Sequence, residues 1–147
     1  MNMKNPLDRL PVALLTLRLG VFVVMLMWTL DKFIRPEHSA RVFANFYGLS
    51  GLEQPLFYAI GAAESLLILG FLLGVAKRLT YAAVLVLHAI STFSSYKQYL
   101  HPFDNLLFFA AWPMLAACFA LYYLRDYDTL GVVGQRQGPE PVLRHQG

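Results

Sequence analysis

The sequence predicts an all-α integral membrane protein that folds as a bundle of four transmembrane helices. The chain of 147 residues is 57% hydrophobic and only 14% charged, whereas a soluble domain carries roughly 25% charged residues. Its apolar residues form four long windows over residues 11–30, 55–76, 79–96 and 105–124, and of its 12 basic and 9 acidic side chains only Arg18 and Glu64 fall inside them. This composition excludes both an ordinary soluble domain and a disordered chain.

Each window is long enough for one membrane crossing, because about 20 helical residues span a hydrocarbon core of ~30 Å. Within that core every backbone amide must be bonded inside its own segment, so the windows are predicted to be helices. We expect the helices at about residues 11–34, 55–76, 79–98 and 105–124. Residues 1–125 then form a single membrane domain, and residues 126–147 are predicted to be a flexible cytoplasmic tail.

The loop after the first helix is predicted to contain a short helix that lies flat in the membrane interface. Pro36 and Glu37 are typical of a helix start, and Gly48 is typical of a helix end. Between them apolar residues recur at helical spacing, with Arg41 on the polar side.

The basic residues predict that both termini face the cytoplasm and that the first loop faces the periplasm. In this orientation the inner side carries seven basic residues, and the outer side carries only Lys32, Arg35, Arg41 and Lys97. The short Lys77-Arg78 turn contributes most, because short loops follow the rule best. The net charge of +3 is explained by this topology and by attraction to anionic lipid, and no basic face or motif indicates nucleic acid.

Polar residues inside the predicted helices mark the candidate site, because lipid rejects them. Glu64 lies near the middle of the second helix. Arg18 lies in the first helix, about one turn to the cytoplasmic side of the depth of Glu64 in the membrane. His88 lies at the middle of the third helix and begins a polar stripe that continues through Ser91, Thr92 and Ser95. The predicted polar core, which would bind a ligand, consists of Arg18, Trp28, Lys32, Glu64, His88, Thr92 and Trp112.

A purely structural interpretation of these residues stays open. An Arg18–Glu64 ion pair could merely lock the first helix to the second, and His88 could be a hydrogen-bonded contact between helices. The two tryptophans could be interfacial anchors.

A metal or haem centre is not expected. His88 is the only histidine inside a predicted transmembrane helix, and Cys118 is the only cysteine. Cys118 stands among alanines, which is typical of a small packing residue. Catalytic residues are not identified, and no covalently bound cofactor is expected.

Two further features concern helix packing. Gly70 and Gly74 form a GxxxG pair on the face opposite Glu64, which predicts that another helix packs closely there. In the fourth helix, Pro113 is predicted to release the carbonyl of Phe109 and to kink the helix.

Two blocks of the sequence resemble DoxX-type membrane proteins. The first is Leu17-Arg18-Leu19-Gly20 followed by Asp31-Lys32-Phe33. The second is Gly61-Ala62-Ala63-Glu64-Ser65 with Gly70, Gly74, Lys77-Arg78 and Ala82-Ala83. The resemblance covers roughly residues 14–124, and its motifs are moderately specific. His88 and the Arg35-Pro36-Glu37-His38 loop depart from the family pattern.

The resemblance implies a four-helix protein of the bacterial inner membrane, with relatives that include a subunit of a thiosulfate:quinone oxidoreductase and redox accessory proteins. It favours a quinone-linked or redox-accessory subunit in which Arg18, Glu64 and His88 line a quinone pocket. The electrons would come from a partner protein in the membrane or periplasm. Two alternatives are an assembly factor that holds another membrane protein through Gly70 and Gly74, and a small-solute transporter, which would have to form a homo-oligomer.

Overall fold

A computed structural model describes residues 5–134 of the chain. In this part all regular secondary structure is helical, and no residue lies in a strand. Three helical segments are long and apolar enough to cross a membrane, namely Pro6–Ile34, Gln54–Leu72 and Leu106–Tyr123. Three of the four predicted crossings therefore have the length and composition that a bilayer requires.

The first helix, α1 (Pro6–Ile34), begins before the predicted boundary at residue 11. The side chain of Asn5 accepts a hydrogen bond of 3.0 Å from the backbone N–H of Leu7, which caps the helix. Pro6 occupies the first helical position, where no intrahelical partner is needed for an N–H. The helix ends because Arg35 precedes a proline and takes a φ of −132°.

The short helix predicted in the first loop is present as α2 (Pro36–Tyr47). It begins at Pro36 and ends at Gly48, whose φ of 68° lies in the left-handed region that glycine adopts at no steric cost. The helix packs against α1 and α3. Its position in the membrane interface stays a prediction.

The predicted second and third helices both have different bounds in the structure. Helix α3 (Gln54–Leu72) ends before residue 76, because the following turn contains Gly74 at φ 65° and Ala76 at φ 46°. Helix α4 (Lys77–Ser94) therefore includes the basic pair in its first turn. That pair and the polar stripe make α4 less apolar than its neighbours, so a fourth membrane crossing stays a prediction.

The chain after α4 is broken into short pieces. The predicted third helix over 79–98 stops at Ser94, and α5 (Tyr96–Tyr99) and a 3-10 turn (Pro102–Asp104) follow. The predicted fourth helix over 105–124 consists of a 3-10 stretch (Leu106–Ala110) and then α6 (Ala111–Tyr123). Pro113 accounts for this break, since it has no N–H and its ring crowds the preceding turn.

The four long helical segments pack so that each has two neighbours. Helix α1 contacts α3 and α6, and α4 contacts the same two helices from the other side. Their facing sides enclose the apolar core, whose buried members are Leu14, Val21, Met25, Ile68, Phe71, Tyr81, Val84, Cys118 and Leu121. The prediction that Cys118 is a small packing residue is confirmed, because its side chain is buried in this core.

Residues 125–134 fold back onto the helices, although the sequence predicts a flexible tail from residue 126. Asp128 is completely buried, and the backbone N–H of Val133 donates a 2.9 Å hydrogen bond to the carbonyl of Leu73. Apolar periodicity does not reveal this segment, because it is held by polar contacts. Residues 135–147 of the predicted tail lie outside the described part of the chain.

The molecule thus has two ends with different construction. The terminal end contains the start of α1, the turn over residues 73–76 and the folded-back segment 125–134. The α2 end contains α2, the loop over residues 48–53 and the short pieces over residues 95–105.

Gly70 and Gly74 do not lie together on one face of a helix, as the predicted GxxxG pair requires. Gly74 lies beyond the end of α3, and a methyl group on it would come within 2.8 Å of Val132. Gly70 faces Thr80 of α4, where a methyl group would come within 3.2 Å. At Gly61 there is little room for a side chain, because a methyl group would lie 2.8 Å from the ring of Phe33 on α1.

Gly61→Leu is therefore expected to destabilise the fold, because overpacking a close contact typically costs about 1–3 kcal/mol. Ala62→Leu is the matched control, since Ala62 is exposed on the outer side of α3. Thermal unfolding in detergent measures both variants. Equal midpoints for the two would contradict the close packing of α1 on α3 at Gly61.

Candidate functional site

The terminal end is held by a buried ion pair between Arg18 and Asp128. The Arg18 Nη1 atom lies 3.5 Å from Asp128 Oδ2, and both side chains are almost fully buried. Tyr81 joins the pair, because its hydroxyl donates a 2.6 Å hydrogen bond to Asp128 and accepts one of 3.3 Å from Arg18. The guanidinium also donates to the backbone carbonyl of Leu130. The cluster thereby binds the segment 125–134 to α1 and α4.

Lys77 strengthens the same attachment from the first turn of α4. Its ammonium group donates hydrogen bonds to the carbonyls of Arg125 at 3.1 Å and Asp128 at 2.5 Å. Lys77, which supports the predicted topology, therefore also holds the segment 125–134 in place.

The Arg18–Glu64 ion pair of the structural interpretation is not formed, because the two residues bind different partners. Glu64 Oε2 lies 3.0 Å from Lys32 Nζ and accepts a 3.1 Å hydrogen bond from Thr29. These contacts face the α2 end, whereas Arg18 faces the terminal end. The reason is position: Thr29 and Lys32 on α1 lie level with Glu64 on α3, and Arg18 lies several turns away along α1.

One face of α1 carries polar residues and is buried against the other helices. Arg18, Met25, Thr29 and Lys32 are all buried toward the other helices. Lys32 keeps its charge satisfied through Glu64 and through the carbonyl of Trp28, which accepts a hydrogen bond of 3.3 Å.

A second polar cluster ties α2 to the end of α1 through Asp31. One carboxylate oxygen lies 2.7 Å from the Arg35 guanidinium, and the other lies 2.6 Å from His38 Nδ1. The second oxygen also accepts a 3.1 Å hydrogen bond from Ser39, which is buried. The orientation of α2 therefore depends on one carboxylate.

His88 is buried between α4, α1 and α6. Its Nε2 atom lies 2.9 Å from the carbonyl of Ala111, which can only accept, so Nε2 carries the hydrogen in this contact. The ring centroid of Trp28 lies 6.0 Å away. The Nδ1 atom of His88 is buried and has no hydrogen-bond partner among the described residues. The acceptor in this contact is the carbonyl of Ala111, the first residue of α6, and not that of Phe109.

A groove of about 570 Å³ runs along α1 beside His88. On α1 its lining extends from Thr16 to Trp28, which corresponds to about 18 Å at the helical rise. Its middle is apolar, with Trp28, His88, Ser91 and Ser95 toward the α2 end and the single polar residue Thr16 at the opposite end. The groove is lined on the other sides by α4 and the residue that follows it, by the 3-10 stretch and by α6, with residues that include His88, Ser91, Ser95, Phe108, Met114 and Ala117.

Two smaller cavities adjoin the groove at the α2 end. The Asp31 chamber, of about 340 Å³, lies under α2 and is lined by polar groups and by Phe43, Phe46 and Phe108. The Glu64 chamber, of about 310 Å³, is lined by Lys32, Glu64, Met25 and Leu87 among others. Trp28 and Ser91 line the groove and both chambers. All three cavities therefore meet at these two side chains.

The predicted polar core is thus divided among different places. Trp28, Lys32, Glu64 and His88 line the groove or the chambers. Thr92 is buried and contributes its hydroxyl to the carbonyl of His88 at 2.7 Å. Trp112 packs against Phe93 and Tyr99 at centroid distances of 5.7 and 5.4 Å and lines none of the three cavities.

Ser91 is the lining residue whose importance the sequence did not indicate. It belongs to the predicted stripe on α4, but nothing in the periodicity distinguishes it from Ser95. Only the packing of α1 and α2 against α4 places it at the meeting point of the cavities.

Metal binding by protein side chains finds no support in the described part of the chain. Among residues 5–134 no group of three or more His, Cys, Asp or Glu side chains is arranged to hold a metal ion.

Comparisons with known proteins do not assign the chain to a family. No family model matches the chain, and no curated protein or solved structure matches it. The resemblance to DoxX-type proteins stays a prediction from its motifs. The function is therefore argued from the groove, the chambers and the charge pairs.

The two separate ion pairs predict a specific pattern of energetic coupling. Arg18→Leu and Asp128→Leu should each destabilise strongly, because breaking a buried pair costs about 3–5 kcal/mol, whereas the double change should recover much of the loss. Thermal unfolding in detergent measures the cycle.

The control cycle combines Arg18→Leu with Glu64→Leu. Its losses are expected to add, because Glu64 contacts Lys32 and Thr29 instead of Arg18. A coupling in this control as large as that between Arg18 and Asp128 would contradict the assignment of partners.

Proposed function

We propose that this chain is a DoxX-like protein of the bacterial inner membrane that binds an isoprenoid quinone in the groove and serves as an accessory subunit of a redox complex. The chain itself performs the binding step. A partner protein of the membrane or periplasm would exchange electrons with the bound quinone.

The groove carries this proposal. Its volume of about 570 Å³ lies within the ~300–1,000 Å³ of sites that enclose small molecules. Its length suits an extended apolar chain, and its polar end suits a compact head with hydrogen-bonding atoms. A molecule with both parts, soluble in the bilayer, is a quinone with an isoprenoid tail.

His88 supports the proposal through the position of its ring. The ring lines the groove close to Trp28 and is fixed by Ala111 and Thr92. The imidazole is almost fully buried, so the flat surface open to a quinone head is the exposed ring of Trp28, which lies beside the fixed imidazole.

Transport across the molecule is less well supported. The Glu64 and Asp31 chambers lie at the α2 end, and the groove reaches inward from them. The terminal end is filled by the contacts of Arg18, Tyr81 and Asp128. Polar groups are thus used there for packing, which favours a binding site over a path through the protein.

The membrane arrangement is part of the proposal. Helix α4 is proposed as a fourth crossing, because it packs between α3 and α6, both of which are apolar enough to span a bilayer. Both termini are proposed to face the cytoplasm, and α2 is proposed to lie in the periplasmic interface. The basic asymmetry of the sequence supports this orientation.

Cysteine labelling is expected to confirm the orientation. In a Cys118→Ala background, a membrane-impermeant maleimide added outside spheroplasts should modify Ser50→Cys, because Ser50 is exposed in the loop after α2. It should spare Gly138→Cys until the membrane is permeabilised. The reverse pattern would overturn the proposed topology.

Quinone binding is expected to quench Trp28. In Trp112→Phe protein held in nanodiscs, decylubiquinone should quench the remaining tryptophan saturably, because Trp28 lines the groove. Trp28→Phe protein retains Trp112 outside the cavities and should show only weak, non-saturating quenching.

Gly20→Leu should abolish the saturable phase. Gly20 lines the groove, and a methyl group on it meets nothing within 4 Å, so a larger side chain fills the groove without disturbing the fold. Val23→Leu on the exposed side of α1 is the matched control. Unchanged binding in Gly20→Leu, or no saturable binding in the parent, would contradict the proposal.

A further inference from the structure

The hydroxyl of Ser91 is free, unlike most others in the helices. A serine or threonine inside a helix commonly donates to the carbonyl four residues earlier. The hydroxyls of Thr29, Ser65, Thr92 and Ser95 do so at 2.7 to 3.1 Å. Ser91 is only partly exposed, yet its hydroxyl makes no hydrogen bond to any of the described residues. A partly buried donor without a protein partner is available to a ligand.

The position of the Ser91 hydroxyl also favours contact with a ligand. Ser91 and Trp28 are the two side chains that line the groove and both chambers. A ligand that fills the groove and reaches toward the α2 end must therefore pass beside Ser91. Trp28 supplies a flat aromatic surface at the same point.

The charges around this point are already paired with one another. Lys32 lies 3.0 Å from Glu64, and Asp31 is bound by Arg35 and His38. An anionic head would have to separate Lys32 from Glu64, which is costly in a partly buried setting. An uncharged head with hydrogen-bond acceptors requires no such change.

We propose that Ser91 is the residue that recognises the head of the bound molecule, by donating a hydrogen bond to a carbonyl oxygen of an uncharged ring. The ring lies at the meeting point of the cavities beside Trp28, and the apolar chain extends along the groove. This inference rests on the proposed function and specifies which atom selects the ligand.

The test compares a quinone with a carbonyl-free molecule of the same chain length. Binding of decylubiquinone is measured by Trp28 quenching in Trp112→Phe protein in nanodiscs, and binding of decylbenzene is measured by its displacement of decylubiquinone. Ser91→Ala should weaken decylubiquinone about fivefold, the usual effect of one hydrogen bond. It should leave decylbenzene unchanged, because that molecule has no acceptor.

Ser94→Ala is the matched control on the same helix. The hydroxyl of Ser94 also has no hydrogen bond to the described residues, but Ser94 lines none of the three cavities. This variant should bind both probes like the parent protein.

Raising the phosphatidylglycerol content of the nanodiscs should not weaken quinone binding, since the head is uncharged.

The outcomes separate this inference from the proposed function. Saturable quinone binding that Ser91→Ala leaves unchanged would overturn the role of Ser91 and leave the proposed function intact. Equal weakening of both probes would show that Ser91 acts by packing, which also overturns the inference. Competition by phosphatidylglycerol would assign the site to an anionic lipid head. Absence of saturable binding in the parent protein would overturn the proposed function itself, and the inference with it.

Discussion

A charge buried among apolar helices needs a partner, and this constraint organises the molecule. The described residues bury three charged side chains, Arg18, Lys32 and Asp128. Arg18 and Asp128 neutralise each other at the terminal end, and Lys32 is neutralised by Glu64 toward the α2 end. Because an unpaired ion in a medium of low dielectric is unfavourable by several kcal/mol, these pairs determine which segments can meet. They leave the space between the two ends to apolar lining and to the groove.

The two pairs serve different parts of the proposed function. The Arg18–Asp128 pair, with Tyr81, closes one end and is surrounded by packed side chains. The Lys32–Glu64 pair stands in the wall of a chamber, so its charges are compensated while its surroundings stay open. A site built in this way offers polar contact without net charge. That property favours uncharged amphiphiles over phospholipid heads.

Periodicity and composition predicted the all-helical architecture and three apolar segments long enough to span a membrane, because such segments are determined by local sequence. The buried face of α1, the start and end of α2, and the polar stripe of α4 all follow from residue spacing. Partner choice could not be predicted in this way. Asp128 lies in a segment without apolar periodicity. The interpretation that paired Arg18 with Glu64 rested only on their being the two charged residues inside the apolar windows. Ser91 could not be singled out, since its role depends on how α1 and α2 pack against α4.

The pairing of Arg18 also has a consequence for biosynthesis. Tyr81 follows Arg18 by 63 residues and the carbonyl of Leu130 follows it by 112. At translation rates of about 5–20 residues per second, the guanidinium waits for several seconds before its last partners are made. During that interval α1 holds an unsatisfied cation, and the long side chain can only reach toward the nearer surface. Synthesis of residues 128–130 therefore completes the contacts of Arg18, and a chain that stops before Asp128 leaves that guanidinium without its acidic partner.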